Sequence, residues 1–281
     1  MKGWLVYRQV DIEKNTHFIQ YLIEAANKYE IDLELVKRED ISFETEVKLP
    51  DFAIMRCIDA PLTARMESMG VKTFNNSKVS EICNNKANTH RFLANKGIPQ
   101  METYFPEVGS IDLDKPGLDY PFVLKSATGS GGKEVFLVED KNGFLKLLEE
   151  LEGKEIIIQK IADERGKDLR VYVIGKEIIA GVLRTSDVDF RANYSLGGKF
   201  RQYFLNSREE KIVKKVIEEF DFGLVGIDLI FDGNEPVLNE IEDVVGCRTL
   251  YQASNIDIAD LFVSFIRKSF TYIPLTKDSQ K

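Results

Sequence analysis

Three acidic residues near the end of the chain have the spacing of a metal-binding hairpin. Asp228 lies in GIDLIF, and Glu240 and Glu242 lie in NEIED. Side chains two apart in a strand share a face. Glu240 and Glu242 therefore point the same way, and a turn centred near Asn234 sets Asp228 opposite Glu240. Three carboxylates this close raise one another's pKa unless a cation joins them. Mg2+ suits such a place, with Mn2+ as a substitute, because it prefers hard oxygen ligands and shares carboxylates with substrate phosphates. The other reading is a solvated acidic strand face, although Ile227, Leu229, Ile230, Val237 and Leu238 leave the hairpin only partly open to water.

Earlier in the chain, VLKSATGSGGKEVFLV (residues 123–138) places Gly129, Gly131 and Gly132 between two strand-like flanks, with Lys125 and Lys133 on either side. A P-loop would need a Ser or Thr after Gly132-Lys133 and a glycine at Ala127, and a dinucleotide-binding fingerprint would need a third glycine at Glu134 with a helix following. Both fail. Two readings remain. One is a flexible hairpin cover whose backbone amides approach phosphate oxygens while Lys125 places a point charge on them. The other is a surface hairpin with a loose tip.

The elements that would position these residues follow from periodicity. Residues 1–75 alternate strand and helix: GWLVYRQ, a helix over 14–29 with Phe18, Leu22, Ala25 and Ala26 on one stripe, IDLELVK, DFAIMRC, a helix ended by Gly70, and VKTFNN. That alternation favours a parallel sheet. Residues 77–96 read as one helix with Ser77 and Ser80 as candidate caps. A helix over 144–153 leads to EIIIQKI, a continuous apolar strand expected to be buried on both faces. From Asp168 onward the pattern turns antiparallel, with one hairpin around Gly175-Lys176 and another around Asp232-Gly233-Asn234. Between the hairpins, Ser207 and Glu210 have capping-box spacing, and a last amphipathic helix covers about residues 256–269.

The chain has 281 residues and a formal net charge of −8, which disfavours nonspecific nucleic-acid binding. No apolar run approaches a membrane span, and no export signal is visible at the start, so the expected location is the cytoplasm. Cys57, Cys83 and Cys247 fit no zinc spacing and read as reduced, packed thiols; with only His17 and His90, a histidine triad or metal centre is disfavoured.

Lys86 in a helix, Lys125 before the glycine hairpin and the acidic hairpin near the end occur in an order that resembles the ATP-grasp superfamily, and most closely its RimK-like branch. The pieces that carry the resemblance are NKANTHRFLANKGIP, PFVLKSATGSGGKEVFLV, IIIQKI, GKDLRVYVIGKEIIAGVLR, DFRANYSLGG and GIDLIFDGNEPVLNEIE. It implies an α+β fold with an N-terminal α/β subdomain (1–85), a central lid subdomain (86–158) and a C-terminal antiparallel-sheet subdomain with the metal site (159–281). By the same resemblance Lys86 and Lys125, with Ser130, Gly131 and Gly132 of the loop, touch the nucleotide phosphates. Gln159, Lys160, Ile161 and Ala162 form the hinge strand that reads adenine, Asp168 lies near the nucleoside, and Arg184 faces the reacting phosphate. Arg191 and Asn193 line the nucleotide and metal end of the cleft, and Asp228, Glu240 and Glu242 bind Mg2+. Relatives usually have E-x-N followed by a small-residue, proline-containing turn; this chain has Glu240-Ile241-Glu242 followed by DVVGCRTLY, so the acceptor is not carried over.

The activity implied is an ATP-dependent carboxylate–amine ligase. A carboxylate takes the γ-phosphate to give an acyl phosphate and ADP, and an amine then displaces phosphate. A small-molecule kinase on the same fold and a non-catalytic nucleotide-binding regulator are the alternatives. Arg184, Arg191, Lys199, Arg201 and Arg248 are a run of cations around the proposed cleft that could hold anionic groups; Arg184 and Arg191 are kept as site residues, and for the other three ordinary surface charge is the alternative. A homodimer is expected only by analogy with relatives.

Overall fold

A computed structural model describes residues 1–43, 48–107, 111–129, 131–192 and 198–271. The strands are β1 (Lys2–Tyr7), β2 (Asp32–Lys37), β3 (Phe52–Met55), β4 (Lys72–Phe74), β5 (Thr103–Tyr104), β6 (Phe122–Ser126) and β7 (Val135–Val138), then β8 (Ile156–Gln159), β9 (Lys167–Ile174), β10 (Glu177–Thr185), β11 (Lys199–Tyr203), β12 (Leu224–Asp232) and β13 (Glu235–Glu242). They form a parallel sheet in the order β2-β1-β3-β4, an antiparallel sheet β5-β8-β6-β7 and an antiparallel sheet β11-β10-β9-β12-β13. The helices are α1 (Gln9–Ile12), α2 (Thr16–Lys28), α3 (Ala60–Ser68), α4 (Ser77–Cys83), α5 (Lys86–Ala94), α6 (Lys141–Glu150), α7 (Ser207–Glu218), α8 (Arg248–Ala253) and α9 (Ile258–Thr271).

Central strands carry the unbroken apolar runs that a sheet covered on both faces needs. β3 and β8 are buried throughout, and in β1 only Lys2 is partly exposed. α2 lays Ile19, Leu22, Ala25 and Ala26 against the core it shares with α9. Phe18, expected on that stripe, is only partly buried and turns instead to the wall of a cavity. The expected hairpin turns hold: Gly175 has φ +58°, and Gly233 and Asn234 have φ +58° and +66°. Two consecutive left-handed residues are what a tight hairpin turn of this hand requires. Among the described residues no helix is long and apolar enough to cross a membrane.

Residues 77–96 form two helices rather than one. Asn76, not a serine, caps α4 by accepting from the Val79 amide at 2.9 Å, while Ser77 is drawn to Glu67. The chain breaks at Asn84-Asn85, and Asn85 caps α5 by accepting from the Asn88 amide at 3.0 Å. This break places Lys86 at the first turn of α5, where its own amide donates to the Ala127 carbonyl at 2.8 Å, at the end of β6. The capping box of α7 is shifted by one residue, to Asn206 and Glu209. Asn206 accepts from the Arg208 and Glu209 amides, and Glu209 returns to the Asn206 amide at 2.7 Å. β5, β11 and α8 are elements that periodicity alone does not reveal. β11 is an edge strand whose side chains are all at least partly exposed, so it lacks an apolar alternation.

Asn206→Ala removes the acceptor for two amides and should lower stability by about 1 kcal/mol. Urea denaturation of both proteins checks this, with an unchanged denaturant slope expected.

Candidate active site

The five-stranded sheet carries a row of buried charges on one face. Asp168 and Arg170 lie two apart on β9 and share that face. Asp168 is opposite Arg184 on β10, Arg170 is opposite Asp228 on β12, and Asp228 is opposite Glu240 on β13. Arg170 grips Asp228 with Nε at 2.8 Å and Nη2 at 2.7 Å. Arg184 grips Asp168 with Nε at 2.5 Å and Nη2 at 2.9 Å, and its Nη2 also reaches Asp228 at 2.7 Å. Glu242 meets Arg170 at 2.5 Å. Burial opposes the charge on Asp228, but the two guanidiniums outweigh burial and hold its carboxyl below the usual range. Sequence reasoning missed Arg170. Its signal was the polar pair Asp168 and Arg170 alternating with apolar Leu169 and Val171 in an otherwise buried strand.

Above this row lies a cleft of about 100 Å3. Lys86, Lys125, Gly131, Gly132, Gln159, Lys160, Ile161, Asp168, Arg191 and Glu240 line it, so most of the expected residues come together. Ser130 and Asn193 lie outside the described residues. Arg184 and Asp228 line neither this cleft nor the cavity beside it; they sit in the sheet beneath, tied to each other and to Asp168. Arg184, expected to face the reacting phosphate, has its guanidinium on Asp168 and Asp228. Lys199 pairs with Asp187 at 2.7 Å, Arg201 stacks on Tyr203, and neither lines either space. The Lys160 amide already donates to the Glu102 carbonyl at 2.9 Å, so at that position only its carbonyl is left to face the cleft.

The glycine hairpin bends over the cleft. Gly131 and Gly132 have φ +65° and +73°, a region that L side chains rarely adopt. Arg191 straps the loop by donating to the Gly132 carbonyl at 2.6 Å and the Val135 carbonyl at 3.1 Å, while Asp189 holds its other nitrogens. Lys86 Nζ donates to the Gly129 carbonyl at 2.5 Å and lies 3.6 Å from Glu240. A second space of about 660 Å3 opens beside the cleft, between the parallel sheet and the turn after β13. The two spaces share Lys86, Gly129, Gly131 and Glu240 on their walls.

Comparison with known proteins identifies the arrangement. The family model for the RimK-like ATP-grasp domain matches residues 83–266. A probable α-L-glutamate ligase of Legionella pneumophila is 30% identical over 234 residues, covering 78% of each chain. The chain belongs to the RimK-like ATP-grasp family. The glutamate–LysW ligase ArgX of Sulfurisphaera tokodaii is 28% identical over 260 residues, 87% of this chain and 92% of its own. The crystal structure of a RimK-domain ATP-grasp protein from Sphaerobacter thermophilus has the same fold, with a TM-score of 0.76, 21% identity, and coverage of 94% of this chain and 99% of that one. This ATP-grasp chain is an ATP-dependent ligase that joins a carboxylate to an amine.

The electrostatics of this ATP-grasp cleft are uneven. Lys125 is buried, and its ammonium donates to Gln159 at 2.6 Å and Asn239 at 2.9 Å, both neutral. Burial pushes it down to about 8, with Glu240 raising and Lys86 lowering it. His90, behind Gln159, is pushed by burial to about 4 and is neutral at pH 7. Cys247 lines the larger cavity, but burial raises its thiol to about 11, which fits a packing role.

Because burial lowers Lys125 from 10.5 to about 8, the cost of holding its charge is present in full below pH 8 and is relieved as pH rises toward 10.5. Relative to Lys125→Met, the wild type should therefore gain stability over that window, by up to about 3 kcal/mol. Paired chemical denaturation at intervals from pH 7.5 to about 10.5 reads this directly, and a constant difference between the two proteins would contradict it.

Proposed function

We propose that this ligase works through an acyl phosphate, with ATP in the smaller cleft and its acceptors in the larger cavity. The observation that carries this reading is the junction: the two spaces meet at Lys86, Gly129, Gly131 and Glu240. A γ-phosphate at that junction has a lysine and loop amides around it and open space on the far side for an attacking carboxylate. The carboxylate oxygen forms a bond to the γ-phosphorus as the bond to the β,γ-bridging oxygen breaks, and ADP leaves. An amine then attacks the acyl carbon, loses its proton, and phosphate departs. Positioning and charge neutralisation carry most of such a transfer.

Lys86 and Lys125 would neutralise phosphate charge, with the backbone of Ser130, Gly131 and Gly132 donating to phosphate oxygens. The strand end at Gln159, Lys160 and Ile161 would hold adenine, and Asp168 the nucleoside. Arg191 would keep the loop over the triphosphate, and Asn193, by the family resemblance, would line the nucleotide and metal end of the cleft. Arg184 and Arg170 would act as positioning residues, holding the acids.

The acids fit a divalent cation. One oxygen from each of Asp228, Glu240 and Glu242 lies within 4.8 Å of the others. Asp228 Oδ1 takes a single hydrogen bond, leaving a lone pair, and the side chains of Glu240 and Glu242 are 26% and 29% exposed. Mg2+, or Mn2+ in its place, is the ion that this hard-oxygen set favours, and it would offset the charge of the triphosphate. The extra charge of Glu242, where relatives usually have Asn, is directed to Arg170. Three subdomains would frame the cleft: 1–85, 86–158 and 159–281. The second boundary is better set after Gln159, since 158 falls inside β8.

Incubation with ATP, Mg2+ and a metabolite extract, read by mass spectrometry, should show ADP and a new amide. Lys86→Met should lower that turnover roughly 100- to 1000-fold. Phosphorylated product without amide would favour a kinase instead.

A further inference from the structure

Lys125 is a buried cation resting on two neutral side chains, so which end of each amide it meets decides how well its charge is held. Its ammonium donates to Gln159 Oε1 at 2.6 Å and to Asn239 Oδ1 at 2.9 Å. With the Gln159 amide turned over, an NH2 group would face the ammonium, and two donors repel. The orientation of Gln159, itself only 1% exposed, therefore matters.

The four-stranded sheet fixes that orientation. Gln159 ends β8, opposite Thr103 on β5 and opposite Val123 on β6. Lys125 lies two residues on from Val123, so it shares that face and is a diagonal neighbour of Gln159. Thr103, Gln159 and Lys125 thus form a row across three strands. Thr103 Oγ1 donates its single proton to the Met101 carbonyl at 2.8 Å. Toward Gln159 it can then only accept, and Gln159 Nε2 donates to it at 3.0 Å. His90 on α5 adds a weaker contact: its Nδ1 meets Gln100 Oε1 at 2.5 Å, and its Nε2 faces Gln159 Nε2 at 3.4 Å. β5 has only two residues, but its segment is pinned on both sides. The Leu238 amide donates to the Pro99 carbonyl at 2.8 Å, and the Lys160 amide to the Glu102 carbonyl at 2.9 Å.

We propose that Thr103 is a positioning residue for Lys125, acting through the amide of Gln159. Thr103 lines neither the cleft nor the larger cavity, so it reaches a ligand there only through other residues. That this serves ATP rests on the function proposed above, in which Lys125 meets phosphate. Two charged groups act on Lys125: Glu240 on β13 favours its charge, and Lys86 on α5 opposes it. His90 beside it is neutral at pH 7, with the Asn239 backbone against its ring. None of these is altered by substituting Thr103, so a change at Lys125 reports the amide.

The first test is MgATP affinity by isothermal titration calorimetry near neutral pH. Thr103→Val removes the acceptor at nearly constant volume and should weaken binding about 10-fold; Thr103→Ser keeps the hydroxyl and should restore it. The loss should vanish in a Lys125→Met background, where no ammonium is left to hold. It should vanish also with Gln159→Glu, which offers an oxygen to Lys125 either way round. An equal loss in every background, or no rescue by Thr103→Ser, marks a merely structural role and overturns the proposal. If Thr103→Val fails to fold, Thr103→Ala carries the same comparison.

The second test needs no nucleotide. NMR of isotope-labelled lysine, with Lys125→Met identifying the signal, follows the Lys125 proton directly. Its proton affinity should fall about 10-fold in Thr103→Val and stay at the wild-type value in Thr103→Ser. That fall, with an ATP affinity indifferent to Lys125→Met, would keep the positioning role and remove the ATP reading. An ATP affinity lowered by Lys125→Met, with neither readout moved by Thr103→Val, would do the reverse.

Discussion

Two guanidiniums and their carboxylates, closed into the face of an otherwise apolar sheet, are the constraint on which the site depends. Asp228 alone accepts three hydrogen bonds from Arg170 and Arg184. None of these groups would tolerate burial alone, since an unpaired charge there costs about 3–5 kcal/mol. Together they are satisfied, and the cross-strand register of β10, β9, β12 and β13 decides which acid meets which base. The network therefore does two things at once. It locks four strands in register, and it holds Glu240 and Glu242 at the rim with Asp228 beneath them. The proposed cation site would thus be preorganised by the sheet rather than by a loop.

Over that rigid floor the chain sets a lighter cover. Among the described residues the glycine hairpin is fastened by Arg191 on two carbonyls, Lys86 on a third, the Lys86 amide on Ala127, the Ala127 amide on Glu155 and Lys154 on Glu134. The Lys86 fastening uses a group that phosphate could take over, because Lys86 spends its ammonium on a carbonyl and keeps Glu240 at 3.6 Å. Lys125 is different. Held by two neutral amides in a dry place, it has lost part of its affinity for a proton. An incoming polyanion would restore that affinity, which couples nucleotide binding to proton uptake above pH 8.

Much of this was legible in the residues. The alternation of strand-like and helix-like segments marked the parallel sheet, and the Asp232-Gly233-Asn234 turn was enough to place Asp228 opposite Glu240, as the register has it. Other features were hidden because tertiary partners decide them. The break between α4 and α5 depends on asparagines whose helix propensity is only mildly unfavourable, yet it is what aims Lys86 at the loop. Phe18 fits a helical core stripe by spacing and instead packs on Arg56, a choice made by the cavity. Arg56 itself, Arg170 and Asn239 carry no motif. Their meaning appears only when the partners around them can be counted.

The most direct measurement is a crystal structure with a non-hydrolysable ATP analogue and Mg2+. The account predicts the terminal phosphate at the junction of cleft and cavity, within hydrogen-bonding distance of Lys86 Nζ, with the metal between it and Glu240. A nucleotide bound with its terminal phosphate away from that junction, or a metal held without Glu240, would contradict it.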